Sequence, residues 1–313
     1  MRAAVYERYG PPEVVRIAEV SRPEPSAGQV LVRVQAAAVT SGDARMRAAR
    51  FPAGFAVPAR LFFGVRRPRR RVLGSSFAGI VEAVGDGVVA PAVGDLVCGM
   101  TGTKLGAHAE HLVVAAAKAV PVPAGVSADD AAGLLFGGTT ALHFLRDRVQ
   151  PGASVLVNGA SGAIGTNAVQ LARHLGAEVT GVCGAANAGL VTELGAMRTI
   201  DYATQDLDTI AERFDVVLDT VGTLSIASGR RLLAPGGILG LAVATLGETV
   251  RARGDVVAGS SGERPEDMAH LLGMVASGAL VVVHDRSFPL DEIVEAHRLV
   301  DGGHKRGNVV VHP

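Results

Sequence analysis

The stretch from Val155 to Ala172, VLVNGASGAIGTNAVQLA, carries the clearest chemistry in the chain. Its first half is apolar and β-prone, its second half has apolar residues at helical spacing, and Gly159, Gly162 and Gly165 fall at the junction. Ala160, Gly162 and Gly165 fit the spacing G/A-x-G-x-x-G, with Gly159 just ahead of it. Glycines at those points let backbone N–H groups approach a pyrophosphate, and the first turn of the helix adds the positive end of its dipole. Such a turn can also serve only to pack a helix on a strand. The β-α-β-α-β order around it favours the phosphate cradle, and with it a dinucleotide. A nucleoside triphosphatase loop is disfavoured, because no Lys-Ser/Thr closes the turn.

The choice of dinucleotide depends on the end of the second strand, where an acid would bind both ribose hydroxyls of NAD and repel a 2′-phosphate. That end reads VCGAANAG and has no acid, which points to NADPH. It has no Lys or Arg either, so NADH stays open. Any grip on the 2′-phosphate must then come from elsewhere, with Arg198, Tyr202, Lys305 and Arg306 the nearest candidates.

The elements that must hold this turn show as a change of period. Up to about residue 120 the chain reads as short strands broken by Gly and Pro (VVRIAEV, QVLVRVQAAAV, FAGIVEAVG, DLVCGM), an antiparallel, barrel-like half. From about 125 the spacing turns helical in SADDAAGLLFGGTTALHFLRDR, with Ser127 as cap ahead of acidic residues in the first turn. Strand and helix alternate after that, which predicts a parallel sheet with helices on both faces. The last thirty or so residues give a helix and a strand that returns to the first half. The expected domains are residues 1–124 with 285–313, and residues 125–284.

Bulk properties narrow the function. The 313 residues are enough for two domains, and a formal net charge of zero gives no global reason to expect nucleic acid or an anionic membrane as partner. No apolar run reaches membrane-spanning length, and MRAAVYERYG lacks a signal-peptide core, so a soluble cytoplasmic protein is expected. Cys98 and Cys183 each sit in an apolar strand-like run, which suits buried free thiols better than a disulfide or metal cluster. His108 and His111 are three apart in a predicted strand and would face opposite ways; they read as strand residues with one solvated His. His143, His174, His270 and His297 lie on helical patterns and read as structural. The run RRPRRR, Arg66 to Arg71, reads as a solvated surface, with attraction of an anionic partner as its functional alternative. The preceding segment, Phe51 to Gly64, holds four of the nine phenylalanines, and reads equally as an apolar lid over a flat substrate or as packing on the barrel.

With these segments placed, the chain resembles the zinc-independent medium-chain dehydrogenases/reductases of the quinone oxidoreductase type. The strings that carry the resemblance run nearly end to end: AAVYERYGPPEVVRI, VLVRVQAAAVTSGD, LGSSFAGIVEAVG, VGDLVCG, GAHAEHLVV, LLFGGTTALHFL, VLVNGASGAIG, LGAMRTIDY, FDVVLDTVG and GHKRGNVVV. None is decisive alone; their order and spacing are specific. The resemblance implies an α/β fold made of a GroES-like β-barrel catalytic domain and a Rossmann doubly wound parallel sheet, a cleft between them for NADPH and substrate, and a homodimer. By position it implies that Gly162, Ala163, Ile164 and Gly165 meet the pyrophosphate and that Thr140 lies by the nicotinamide ribose. It places Tyr202 near the 2′-phosphate, Val243, Ala244 and Thr245 near the carboxamide, and Asn308 at the C-terminal cofactor contact. Two departures stand out. Gly184, Ala185 and Ala186 replace the Ser/Thr and Lys/Arg common in NADPH-selective members, and Thr40 and Ser41 replace an Asn-Pro of many quinone reductases.

The zinc alcohol dehydrogenases of the superfamily have a cysteine near Thr40 and a His-Glu pair at Ser75 and Ser76; neither is here, so no metal is expected. Without a Lewis acid, hydride transfer is easiest to an acceptor that spreads its own negative charge, an apolar or aromatic carbonyl such as a quinone or an α,β-unsaturated carbonyl. The developing oxyanion needs hydrogen-bond donors. Thr40, Ser41 and Ser75 are candidates, with backbone amides as equal competitors. Asp43 would orient such a hydroxyl or relay a proton, or act only as a turn cap. A short-chain reductase is excluded, since its Tyr-x-x-x-Lys has Asp206 in the fourth place after Tyr202. The alternative from a different class is a non-catalytic NADPH-binding sensor or structural protein.

Overall fold

A computed structural model describes all residues, 1–313. It contains two compact units: residues 1–51, 56–136 and 263–313 form the first, and residues 52–55 and 137–262 the second.

The first unit is built on alternating strands. In chain order they are β1 (Arg2–Tyr6), β2 (Val15–Glu19), β3 (Gln29–Ala38), β4 (Ser76–Val84), β5 (Leu96–Met100), β6 (His111–Ala115) and β7 (Val120–Pro121). Two short helices, α1 (Ser41–Ala48) and α2 (Ala56–Phe63), interrupt them. The ten-residue β3 is central, pairing antiparallel with β4 and with β6. Its alternation sends Val30, Val32 and Val34 inward, where Phe77, Val81, Val97 and Leu112 close the core.

Helix α3 (Ala128–Leu145) starts on Ser127, whose Oγ accepts the Asp130 N–H at 3.0 Å as the sequence predicts. The second unit then alternates strand and helix: β8 (Ser154–Asn158), α4 (Ala163–His174), β9 (Glu178–Cys183), α5 (Ala188–Glu193), β10 (Arg198–Asp201), β11 (Phe214–Asp219), α6 (Ile226–Arg231), β12 (Leu233–Leu241), α7 (Leu246–Arg251) and β13 (Val256–Ala258). All strand pairs are parallel, in the order β10-β9-β8-β11-β12-β13. The order reverses between β8 and β11, and in open parallel sheets that reversal leaves a crevice at the carboxyl ends of the strands.

The chain then returns through α8 (Pro265–Ala276), β14 (His284–Pro289), α9 (Ile293–Asp301) and β15 (Asn308–His312). Strand β15 pairs antiparallel with β3, Val310 opposite Ala38, so the C-terminal strand does rejoin the first unit.

Residues 41–63 differ from the strand-only reading of the N-terminal half. The corner after β3 is helical because Thr40 and Asp43 form a capping box around the start of α1: Asp43 N–H donates to Thr40 Oγ1 at 3.2 Å, and Thr40 N–H to Asp43 Oδ2 at 2.8 Å. The histidines also divide differently. His143, His174 and His270 are exposed, and His297 alone of that group is in the core. His108 is fully buried ahead of β6 with Nε2 3.0 Å from Ala38 O, and His111 pairs with Glu82 at 3.1 Å, so neither is a freely solvated strand residue. Both cysteines are free and buried; burial pushes the Cys98 thiol up to about 12.

Candidate functional site

The glycine turn sits at the reversal of the second unit's sheet, between the end of β8 and the start of α4. Gly159 has φ +82°, which glycine adopts without strain, and a Cβ there would lie 2.5 Å from Thr220 Oγ1. At Gly165 a Cβ would lie 2.1 Å from Gly159 O and 2.6 Å from Ala160 Cα, so this glycine lets the helix press onto the turn. Gly162 is different. Its φ is −81°, and the only atom near an added Cβ is Gly159 O at 3.5 Å, so its free side is open. As N-cap of α4 it offers no side chain to the first amides of the helix. Uncapped donors beside an open glycine face form a cradle for an anion.

Neighbouring strand ends frame the cradle. Asp219, at the end of β11, is fully buried and accepts N–H groups from Val221, Gly222 and Leu224 at 3.0, 3.1 and 2.8 Å. It also accepts from Asn158 Nδ2 at 3.0 Å, whose other proton goes to Thr223 Oγ1 at 2.8 Å. Asn158 and Asp219 thus fix the loops after β8 and β11 together, a role the sequence reading missed; the signal was the polar residue that ends each apolar run. Asn187 was missed too. It donates to Ser161 Oγ at 3.3 Å and ties the end of β9 to the glycine turn.

Tyr202 is exposed just after β10, and its Oη lies 3.3 Å from the position a Cβ on Gly184 would take, so the phenol stands beside the acid-free end of β9. Val243, Ala244 and Thr245 follow β12 on the same edge of the sheet. The Thr245 hydroxyl is spent on a capping box, donating to Glu248 Oε2 at 2.8 Å and accepting the Glu248 N–H at 3.1 Å. Thr140 lies on α3 with Oγ1 3.5 Å from Ser261 Oγ. Arg198 is not brought to the cradle: it begins β10 rather than ending it, about 10 Å back along the strand, and pairs with Glu212.

Other predicted residues belong to the first unit. Lys305 Nζ donates to Gly307 O, burial lowers its pKa to about 8, and the Arg306 N–H donates to Asp285 Oδ2 at 2.6 Å. Asn308 is buried and donates Nδ2 to Val283 O at 3.0 Å. Thr40 and Asp43 meet at the β3–α1 corner, where Thr40 Oγ1 donates to Asp43 Oδ2 at 2.6 Å and Gly74 N–H donates to Asp43 Oδ1 at 2.9 Å. That geometry corrects one expectation and narrows another. The Thr40 hydroxyl has already given its proton to Asp43 and has none left for a substrate oxyanion. Asp43, fully buried and bonded on both oxygens, orients the Thr40 hydroxyl and caps α1, two of the roles the sequence offered for it, and also clamps α1 to the loop before β4. Exposed Ser41 and half-buried Ser75 remain as side-chain donors of the original set. No group of three or more His, Cys, Asp or Glu side chains is placed to hold a metal ion.

The sequence compared with known proteins agrees with this architecture. Residues 26–124 match the alcohol dehydrogenase GroES-like domain, and residues 194–311 match the zinc-binding dehydrogenase family. A 2-haloacrylate reductase from a Burkholderia species is 31% identical across 99% of this chain and 98% of its own length. The chain belongs to the medium-chain dehydrogenase/reductase family. Within that family it is also similar to the chloroplastic NADPH-dependent alkenal/one oxidoreductase of Arabidopsis thaliana, 29% identical over 100% of this chain and 80% of that protein. The structure of the quinone oxidoreductase from Coxiella burnetii superimposes with a TM-score of 0.89 at 28% identity, covering 100% of this chain and 99% of the other. As a medium-chain dehydrogenase/reductase with a GroES-like domain and a Rossmann sheet, the protein is an oxidoreductase.

Proposed function

We propose that this medium-chain dehydrogenase/reductase is an NADPH-dependent reductase that reduces a quinone or an α,β-unsaturated carbonyl without a metal ion. The observation that carries the reading is the uncapped start of α4 beside the open face of Gly162, set at the sheet reversal. The backbone amides of residues 163–165 hold the pyrophosphate against the open face of Gly162, whose own N–H is turned to Gly159 O at 3.1 Å. Tyr202 lies where it packs against the adenosine end, and no carboxylate at residues 184–187 repels a 2′-phosphate. Bound NADPH supplies a hydride. The chain supplies position, dryness and hydrogen-bond donors.

The choice of acceptor follows from the donor set. Thr40 and Asp43 are spent on each other, which leaves Ser41, Ser75 and main-chain amides to meet a developing oxyanion. Such weak donors suffice only where the acceptor delocalises its own charge. The names of the relatives, a 2-haloacrylate reductase and an alkenal/one oxidoreductase, describe acceptors of that kind. The same reading takes the working form to be a homodimer.

The test follows NADPH absorbance with purified protein and a panel of quinones, enones and saturated ketones. Quinones or enones should be reduced, with saturated ketones inert and a chelator without effect. Nucleotide binding without turnover on any acceptor would reduce the protein to a sensor, and loss of turnover on chelation would overturn the metal-free chemistry.

A further inference from the structure

Helix α2 and the arginines that follow it form a surface the cofactor cradle does not use. None of the eight residues of α2 is buried. Val57, Leu61 and Phe62 are 69, 61 and 59% exposed, and their spacing of four and one puts them on one side of the helix; Val65, just past the helix end, is 53% exposed. Such a contiguous apolar face is unusual on a protein that meets only water.

The opposite side of the element is firmly held. The Phe63 ring stacks on Phe51 with centroids 6.4 Å apart, Arg60 lies 5.5 Å over the Tyr9 ring, and Tyr9 Oη donates to Gly64 O at 2.7 Å. Arg69 N–H returns to Phe63 O at 2.8 Å, Tyr6 N–H reaches Arg71 O at 2.8 Å, and Pro68 is buried. The loop is therefore a fixed mount from which Arg66, Arg67, Arg69, Arg70 and Arg71 project into solvent. Of these five only Arg71 has a carboxylate partner, Glu7 at 3.4 Å, which it shares with Arg16. A cavity of about 520 Å³ beside the loop is lined by Arg8, Arg16, Arg67 and Arg71 with Glu7 and Glu13, a net excess of cations.

We propose that α2 and the Arg66–Arg71 loop dock the protein peripherally on an anionic lipid surface. The juxtaposition that carries this is an unburied apolar helix face continuous with uncompensated guanidinium groups. Lipid headgroup phosphates meet the arginines while the acyl boundary takes Val57, Leu61, Phe62 and Val65, the arrangement of interfacial helices. Nucleic acid would answer the charge and leave the apolar face wet. A symmetric contact with a second copy would bring one arginine loop toward its duplicate. The zero net charge of the chain hides this local excess, and no helix is long and apolar enough to cross a membrane, so the contact is confined to the surface. Vesicle binding is measured without turnover, so its failure is distinguishable from failure of the reaction proposed above; only the activity controls rest on that reaction.

The test is co-sedimentation with vesicles of phosphatidylcholine alone or mixed with phosphatidylglycerol, at about 0.1 M salt. Wild-type protein should partition to the anionic vesicles only. The triple variant R66Q/R67Q/R70Q should lose about a hundredfold in partitioning, about fivefold per arginine, with NADPH oxidation on a water-soluble quinone unchanged. The variant L61S/F62S should also lose partitioning. Three results would overturn the proposal: no wild-type binding to anionic vesicles, binding untouched by both variants, or a raised KM in L61S/F62S with normal partitioning, which would make α2 a substrate lid.

Discussion

Two glycines three residues apart answer to different forces. At Gly165 a methyl group would collide with the backbone of Gly159 and Ala160, so Gly165→Ala should destabilise the protein by about 1–3 kcal/mol through overpacking, read in chemical denaturation. At Gly162 a side chain has room and an ordinary φ, so Gly162→Val should fold normally. It should nevertheless raise the Kd for NADPH by about ten- to a hundredfold, because the branched side chain stands where charge-assisted amide contacts form. Equal nucleotide affinity in wild type and G162V, by fluorescence titration, would remove the pyrophosphate from this turn. Asp43 makes the complementary case. Asp43→Asn keeps its size but loses acceptor capacity toward Thr40 and Gly74, and should cost about 1–3 kcal/mol of stability while leaving the pH profile of kcat unaltered. A profile that shifts in D43N would restore the carboxylate to proton transfer.

At the scale of elements, the end of β9 sets which nucleotide the cradle accepts. Residues 184–186 are Gly-Ala-Ala, with Ala185 exposed and Tyr202 alongside Gly184. Placing a carboxylate there, as Ala185→Asp, should repel a 2′-phosphate and favour ribose hydroxyls. The ratio of kcat/KM for NADPH over NADH should fall at least about tenfold, the worth of about 1.4 kcal/mol; an unchanged ratio would put 2′-phosphate recognition elsewhere. This part of the molecule was legible in the sequence because its signals are local: alternation of strand and helix, glycine at a junction, a missing acid. Helix α1 was hidden within the strand-rich half, although Thr40-x-x-Asp43 has capping-box spacing, because a corner turn and a helix start share the same residues. Helix α2 gave no periodic signal of burial because it buries nothing. The clamp on Asp43 Oδ1 comes from Gly74 N–H, more than thirty residues away, and no pattern along the chain encodes it.

At the scale of the whole molecule, a buried neutral histidine beside a buried arginine should make stability fall on the acid side. His297 on α9 is fully buried with both ring nitrogens unpartnered, its ring 5.9 Å from that of His108. Arg47 of α1 is also fully buried, held by Asp301 at 2.5 Å and Gly10 O at 2.8 Å. Burial, then His108 and Arg47, drive the pKa of His297 well below its ordinary 6.5, so the folded protein keeps the ring neutral. Above about pH 6.5 neither the folded nor the unfolded chain protonates it, and the term vanishes. Below that point the unfolded chain gains a proton that the folded chain refuses, and stability drops by up to about 1.4 kcal/mol per pH unit. Replacing the ring by a hydrocarbon of similar size removes this proton linkage without breaking a hydrogen bond. His297→Leu should therefore be at least as stable as wild type near pH 8, since it also removes two unpartnered buried nitrogens, and its margin should grow as the pH is lowered from 6.5. Melting curves that fall in parallel for the two proteins across that range would assign the acid lability to other groups.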